Sequence, residues 1–331
     1  MMSQTQPDLM VVRPDIQSAT RIKLAPNWGE NLPWAIILAG GEGTRLRPLT
    51  RVLAGDERPK QFCKVIGGET LLQQTTRRVG NLVRPERTLV VVTQSQAHYL
   101  DSPLFDTPVL TQPQDRGTAP AILYSLLSIS GHDPNAHVAL FPADHYFAND
   151  AVFMSYVAQA FGAVKQRSDL IILLGIVPHS PEVDYGWIQP GARVRGVAHE
   201  ALFEVQQFWE KPPRVAAEQL LAMGCLWNSF VVISSAHALL NLMQKTVPDL
   251  CEAFHDAQEV LGERALGDFA EIIYAQIPSV DFSEEVLSAQ PKSLAVLPVA
   301  GAGWVDVGRP ERVRALLNRT AAQVHLYGRS A

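Results

Sequence analysis

Along the chain, short apolar runs alternate with segments whose apolar residues recur at helical spacing. Trp34 to Ala39 is an uninterrupted apolar run that stops at Gly40, Gly41 and Gly43, which reads as a buried strand feeding a tight loop. Glu69 to Val79 places Leu71, Leu72, Thr75 and Val79 towards one side and predicts a helix. Thr88 to Thr93 is rich in β-branched residues and predicts a second strand. A short extended piece is expected at 108–110, then an apolar helix over 121–129 and a strand over 137–141. A helix over 151–164 follows, and the almost wholly apolar 170–177 suits a strand covered on both faces. Strands alternating with helices imply right-handed crossovers and a mainly parallel sheet, with ligands at the turns that follow the strands.

Beyond residue 180 the pattern changes. Extended stretches are expected at 186–190, 199–209 and 225–233, separated by short polar loops and by a brief helix at 216–223. Helices follow over 236–246 and 250–266, then a strand at 293–298, a turn at 303–308 and a helix from 311 to 322. Residues 1 to about 32 are polar and proline-interrupted, so an extended lead-in adding little to the core is expected. The resulting division is an N-terminal extension (1–32), a domain over 33–310 and a C-terminal helix and tail (311–331). Within that domain a first part covers about 33–178 and a second about 179–310. No internal repeat is present.

The bulk numbers narrow the chemistry. The 331 residues are 47% apolar and 18% charged, enough for a sizeable core. A net charge of −5 argues against a nucleic-acid partner, though a local basic site for a phosphorylated small molecule is compatible with it. Cys63, Cys225 and Cys251 lack metal or disulfide spacing, so a reducing, cytoplasmic setting is expected. No apolar run reaches the roughly 20 residues of a membrane span.

The glycine loop can bring backbone close to a ligand and aim N–H groups at an anion, with Arg45 and Lys60 near in sequence. It is neither the dinucleotide fingerprint, which needs a further glycine, nor a Walker A loop, which needs Gly-Lys-Ser/Thr. An ordinary strand–turn–helix fits the glycines equally well. Asp144 follows a strand, and Asp306 lies in a turn flanked by glycine and tryptophan. Two such carboxylates can hold magnesium if they converge, whereas either one taken alone reads better as a turn or capping aspartate. His145 reads as a turn histidine, since no second histidine is spaced to join it. Asn228 is the polar exception in an apolar segment and must find partners in backbone or ligand.

Taken in order, these segments resemble a known family. Gly40 to Leu46 with Pro59-Lys60-Gln61-Phe62 resembles the signature of the sugar-1-phosphate nucleotidyltransferases. The resemblance continues through Thr118-Ala119-Pro120-Ala121, Pro142-Ala143-Asp144-His145, Tyr185-Gly186, Glu210-Lys211-Pro212, Trp227-Asn228-Ser229 and Trp304-Val305-Asp306-Val307-Gly308. It covers about residues 34–310 and looks most like the mannose-1-phosphate guanylyltransferase branch, including Ser279-Val280-Asp281-Phe282. The resemblance implies an α/β, Rossmann-like nucleotidyltransferase core with a mixed, mainly parallel sheet and a smaller sugar-binding α+β portion. It also implies nucleotide contacts from Leu38, Gly40, Gly41, Gly43, Thr44, Thr118 and Ala119. Arg45 and Lys60 would act at the phosphates, Asp144 and Asp306 would hold Mg2+, and Gly186, Glu210, Lys211 and Asn228 would bind the sugar phosphate. The implied partners are a nucleoside triphosphate and a sugar 1-phosphate, with no nucleic acid or membrane and with homo-oligomerisation left open. The chain departs from the pattern at Phe230, where the family usually has glycine, at Gly117, and at Glu42 and Arg47 in the loop.

Overall fold

The structure is a computed structural model that describes residues 32–100, 107–198, 201–261 and 266–327. The expected lead-in therefore lies outside the described residues, apart from its last position.

The first half builds outward from one buried strand. Strand β1 (Trp34–Leu38) is covered on both faces and pairs in parallel with β2 (Thr88–Thr93) on one side. Between them lie helices α1 (Arg47–Ala54) and α2 (Leu71–Val79). Thr70 caps α2 by accepting from the Gln73 amide, while the Gln73 side chain accepts from the Thr70 amide. This reciprocal cap satisfies two of the donors that a helix start leaves unpaired. Strand β3 (Val109–Gln112) adds beyond β2, and α3 (Thr118–Ser130) returns the chain to β4 (His137–Pro142), on the opposite side of β1. The connections leaving β1 and β4 thus diverge, and the crevice outside their carboxyl ends is where an open α/β sheet receives ligands.

The second half completes the same sheet. A short β5 (His145–Phe147) precedes α4 (Asp150–Gln166), β6 (Ile171–Ile176), β7 (Trp187–Arg193), β8 (Phe203–Trp209) and α5 (Arg214–Ala222). Strand β9 (Leu226–Ser235) then inserts antiparallel between β4 and β6. Helices α6 (Ala236–Thr246), α7 (Pro248–Leu261) and α8 (Leu266–Gln276) lead to β10 (Ala295–Val299), β11 (Trp304–Asp306) and α9 (Pro310–Tyr327). The order of the nine-stranded sheet is β3-β2-β1-β4-β9-β6-β10-β8-β7, and β7 also pairs with β9. Followed pairing by pairing, seven strands run one way and only β8 and β9 are reversed, so the sheet is mixed and mainly parallel. The two expected parts are not separate layers, because β9 and β10 of the second part sit inside the sheet begun by the first. Helices α3, α6 and α8 bury one face of it, and α2, α4 and α5 the other. Among the described residues, no helix is long and apolar enough to cross a membrane.

Three expectations change. Helix α1 escapes the hydrophobic pattern because Val52 and Leu53 face solvent and only Thr50 is buried; its marks are Pro48 at the start and left-handed Gly55 at the end. The single helix expected over 250–266 is instead α7 and α8. The expected turn at 303–308 contains β11, whose Trp304, Val305 and Asp306 pair with Phe147, Tyr146 and His145. That two-stranded ribbon fixes the site described next.

Gly117 pins the start of α3. Its φ of +83° is unfavourable for any side chain, and a Cβ there would lie 2.4 Å from the Val280 carbonyl oxygen. Gly117→Ala is therefore expected to lower the thermal midpoint by several degrees, on the order of 2 kcal/mol or more. Gly41→Ala, with open space around the added carbon, should leave it unchanged. Equal midpoints in a thermal denaturation series would contradict this reading of the loop before α3.

Candidate active site

Three segments far apart in sequence meet outside the carboxyl ends of β1 and β4. Lys60 lies in a 3-10 turn after Pro59, Asp144 two residues beyond β4, and Asp306 at the end of β11. The Lys60 ammonium is 3.0 Å from Asp144 Oδ2 and 3.5 Å from Asp306 Oδ1, and it donates to the Val307 carbonyl at 2.8 Å. Burial works against the charged lysine, yet the two carboxylates outweigh it and hold its pKa above the ordinary value. Burial likewise opposes the Asp144 carboxylate, and Lys60 with His145 still keeps its pKa below the usual range. The ammonium and the Asp144 carboxylate are thus charged together at neutral pH.

His145 belongs to this group, a correction to its reading as a turn residue. It pairs with Asp306 across the β5–β11 ribbon, and its Nε2 lies 3.8 Å from Asp144 and 3.9 Å from Asp306. Its Nδ1 accepts from the Trp304 indole at 3.2 Å, which fixes the ring. Burial lowers its pKa despite both carboxylates, so the ring is neutral at pH 7.

The glycine loop forms one wall. Gly43 has φ +59°, and Gln61, itself buried, donates to the carbonyls of Ala39 (2.7 Å) and Gly41 (2.8 Å). Gln96 adds a bond to the Gly41 carbonyl at 3.3 Å. With these carbonyls tied back, the loop's amides are left for a ligand: among the described residues, those of Gly40, Gly41, Glu42 and Gly43 donate to no backbone acceptor. A cavity of about 340 Å³ lies beside the loop, lined by Leu38, Gly40, Gly41, Gly43, Lys60, Gln112, Thr118, Ala121, Asp144, His145 and Phe230. Gln61, Gln96 and Gln112 were not assigned roles from sequence, since a single glutamine in a turn or at a strand end gives no periodic signal.

Other expected residues are placed less directly. Thr44 and Arg45 are exposed in the turn after the glycines and do not line the cavity. Ala119 is fully buried and its amide donates to Val280 at 3.1 Å, so it offers a nucleotide nothing but shape. Thr118 lines the cavity, and its hydroxyl accepts from the Phe282 amide at 2.8 Å. Gly186, Glu210, Lys211 and Asn228 form a second cluster. A Cβ on Gly186 would lie 2.8 Å from Glu210 Oε2, and the Asn228 amide donates to the Gly186 carbonyl at 2.8 Å. Lys211 pairs with Glu210 at 2.9 Å. Burial raises the Glu210 pKa even though Lys211 opposes it. Among the described residues, Lys211 (φ 45°) and Phe230 (φ 61°) are the non-glycine residues with positive φ, a backbone state costing about 1–2 kcal/mol. Strain of this kind gathers at ligand sites.

Arg312 of α9 was also missed, because a helical arginine near the end of a chain looks like a solvated charge. It donates to Asp306 Oδ2 at 3.1 Å, Asp184 at 3.0 Å and Glu182 at 2.7 Å, and lies over the Tyr185 ring at 4.4 Å. One Asp306 oxygen is thereby held by Arg312 while the other faces Lys60 and His145.

The donor set suits a hard divalent cation. Asp144 and Asp306 supply oxygen only and converge on one positive charge, as magnesium requires when substrate phosphates and water complete its shell. Among the described residues, no group of three histidine, cysteine or acidic side chains could hold a metal by itself. A ligand's own oxygens would have to take part.

These features match a known class. The chain matches the nucleotidyl transferase family over residues 34–323 and belongs to it. It is 32% identical over 286 residues to the mannose-1-phosphate guanylyltransferase of Klebsiella pneumoniae, covering 82% of this chain and 57% of that protein. A second mannose-1-phosphate guanylyltransferase, from Escherichia coli strain K12, is also 32% identical over 286 residues, 83% of this chain and 58% of the relative. The chain thus spans little more than half the length of these curated relatives. A crystal structure from Thermus thermophilus, described as a mannose-1-phosphate geranyltransferase, superposes with a TM-score of 0.71 at 28% identity, covering 83% of this chain and 76% of that one.

Because burial depresses its pKa, His145 is expected to take up its proton below the ordinary value near 6.5. The midpoint of its C2-proton chemical-shift titration should therefore lie below 6.5. A midpoint at or above 6.5 would contradict the buried, Trp304-bound ring.

Proposed function

We propose that the chain transfers a guanylyl group from GTP to mannose 1-phosphate, giving GDP-mannose and pyrophosphate. The observation that carries the reading is Lys60 held between Asp144 and Asp306 beside the open amides of the glycine loop. Family membership supports the reaction class, and the names of the full-length relatives support the choice of sugar and base.

In this reading a phosphate oxygen of the sugar phosphate attacks the α-phosphorus of GTP. The bond from that phosphorus to the α–β bridging oxygen breaks, and pyrophosphate leaves with the electron pair. The attacking oxygen is already anionic near neutral pH, so no protein base is needed, which fits a site whose histidine is neutral beside the ionised Asp144. Catalysis is then positioning and charge neutralisation. The amides of Gly40, Gly41 and Gly43 hold the triphosphate, and Thr44 and Arg45 add polarity and charge at the loop's outer edge. Leu38 and Thr118, with Ala119 packed beneath, shape the nucleoside end. Lys60 turns its ammonium to the reacting phosphoryl group. Asp144 and Asp306 are the residues that would hold Mg2+, which when bound offsets charge on the α-phosphoryl group and the departing pyrophosphate. Arg312 fixes the Asp306 carboxylate in that orientation. Lys211 meets the sugar phosphate, and Glu210 and Asn228 bond the sugar hydroxyls over the flat floor at Gly186.

The test is a crossed assay of each nucleoside triphosphate with each hexose 1-phosphate in the presence of magnesium, read by pyrophosphate release and product mass. GTP with mannose 1-phosphate should give the highest kcat/KM. Asp144→Asn and Asp306→Asn should each lower turnover by about 100-fold or more in protein that still folds. Wild-type turnover in both variants, or product from no pair alongside measurable sugar-nucleotide binding, would overturn the proposal.

A further inference from the structure

One hydrogen bond decides which nitrogen of His145 carries the hydrogen. The Trp304 indole N–H donates and cannot accept, so the Nδ1 that it meets at 3.2 Å must offer a lone pair. The hydrogen of the ring then sits on Nε2. Burial favours the neutral ring, so a single tautomer is held. Trp304 is itself buried and meets His145 edge to face, 84° apart with 5.3 Å between ring centres. The same ribbon sets Asp306 opposite His145, so β11 supplies both the anchor and a neighbouring carboxylate.

The Nε2 hydrogen has no acceptor among the described residues. The carboxylate oxygens it faces, Asp144 Oδ1 at 3.8 Å and Asp306 Oδ1 at 3.9 Å, are both beyond hydrogen-bond length. An N–H kept from water and from acceptors costs about 1–3 kcal/mol. His145 has only 12% of its side chain exposed, yet it lines the cavity with Gly40, Gly41, Gly43 and Lys60. The donors that share the cavity are amides and an ammonium, which select anionic oxygen. Taking the transferase reading as given, we infer that His145 is a further catalytic residue, its Nε2–H donating to a non-bridging oxygen of the phosphoryl group that Lys60 faces, and that Trp304 is the positioning residue behind it. Lys60 and His145 both flank Asp306 Oδ1, at 3.5 and 3.9 Å, so the two donors address one phosphoryl group. Nε2 keeps its hydrogen throughout, and the electron pair still leaves with pyrophosphate. A neutral donor adds a hydrogen bond where charge gathers without setting a further positive charge beside Lys60.

His145→Leu keeps bulk and removes the donor, whereas His145→Gln returns an amide N–H close to the place of Nε2. The leucine variant should lose about 100-fold or more in kcat, with the KM for the nucleotide changed less than about 3-fold, and the glutamine variant should regain at least about 10-fold. Wild-type kcat in a folded leucine variant would overturn the assignment. A second readout needs no variant: the Nε2 proton resonance of wild type, in protein already saturated with magnesium. Nitrogen chemical shifts should show Nε2 protonated and Nδ1 bare. The proton should move downfield when the nucleoside triphosphate accepted in the crossed assay is added. In Trp304→Phe, which removes the indole N–H, the second tautomer should appear and kcat should fall about 10-fold or more. If the crossed assay gives product from no pair, the transferase reading fails and inorganic pyrophosphate becomes the probe. A proton that moves then still supports His145 as a donor to phosphate, and one that stays overturns it.

Discussion

The structure depends on one buried ammonium group. Lys60 has almost no access to water, and it is tolerated because Asp144, Asp306 and the Val307 carbonyl replace its hydration. Removing one partner from such a buried group costs about 3–5 kcal/mol in well-studied cases, so the three segments are bound to one another as firmly as they are to the core. The same contact ties together the turn that carries Lys60, the turn after β4 and the β5–β11 ribbon. The arrangement that stabilises the fold also keeps two carboxylates close together with one positive charge between them.

The rest of the fold serves to keep that contact in place. The crossover from β3 to β4 puts the Asp144 loop beside the glycine loop at the switch point of the sheet. The ribbon brings Asp306 to His145, and α9 contributes Arg312 to hold the outer oxygen of Asp306. Arg312 also grips Glu182 and Asp184, immediately before Tyr185 and Gly186. Asp306 and the segment that leads to Gly186 are therefore connected through one guanidinium, and a planar fork suits that task better than a lysine would.

Much of this was legible in the sequence. Apolar runs located the buried strands of the central sheet, and the glycine loop, Lys60, Asp144 and Asp306 stood out as chemistry in the right order. The outward set of the loop's amides was not legible, because it rests on Gln61 and Gln96 tying back carbonyls, and such bonds leave no pattern along the chain. His145 was undervalued because its significance comes from a strand pairing 161 residues away, to Asp306. Arg312 was invisible for the same reason: its partners Glu182 and Asp184 are distant in sequence. Phe230 was noticeable as a departure from pattern, but only its backbone shows that the departure is built in and supported by Ser229 and Asn228.

The central claim is that Asp144 and Asp306 share one cation at the phosphate end of the site. Anomalous diffraction from a crystal grown with manganese and GDP-mannose tests it most directly, since manganese scatters where magnesium would bind. The account predicts a single strong peak with an oxygen of Asp144, an oxygen of Asp306 and a phosphate oxygen each at about 2.0–2.5 Å. A peak bound by neither carboxylate, or a ligand ordered at the glycine loop with no metal beside it, would contradict it.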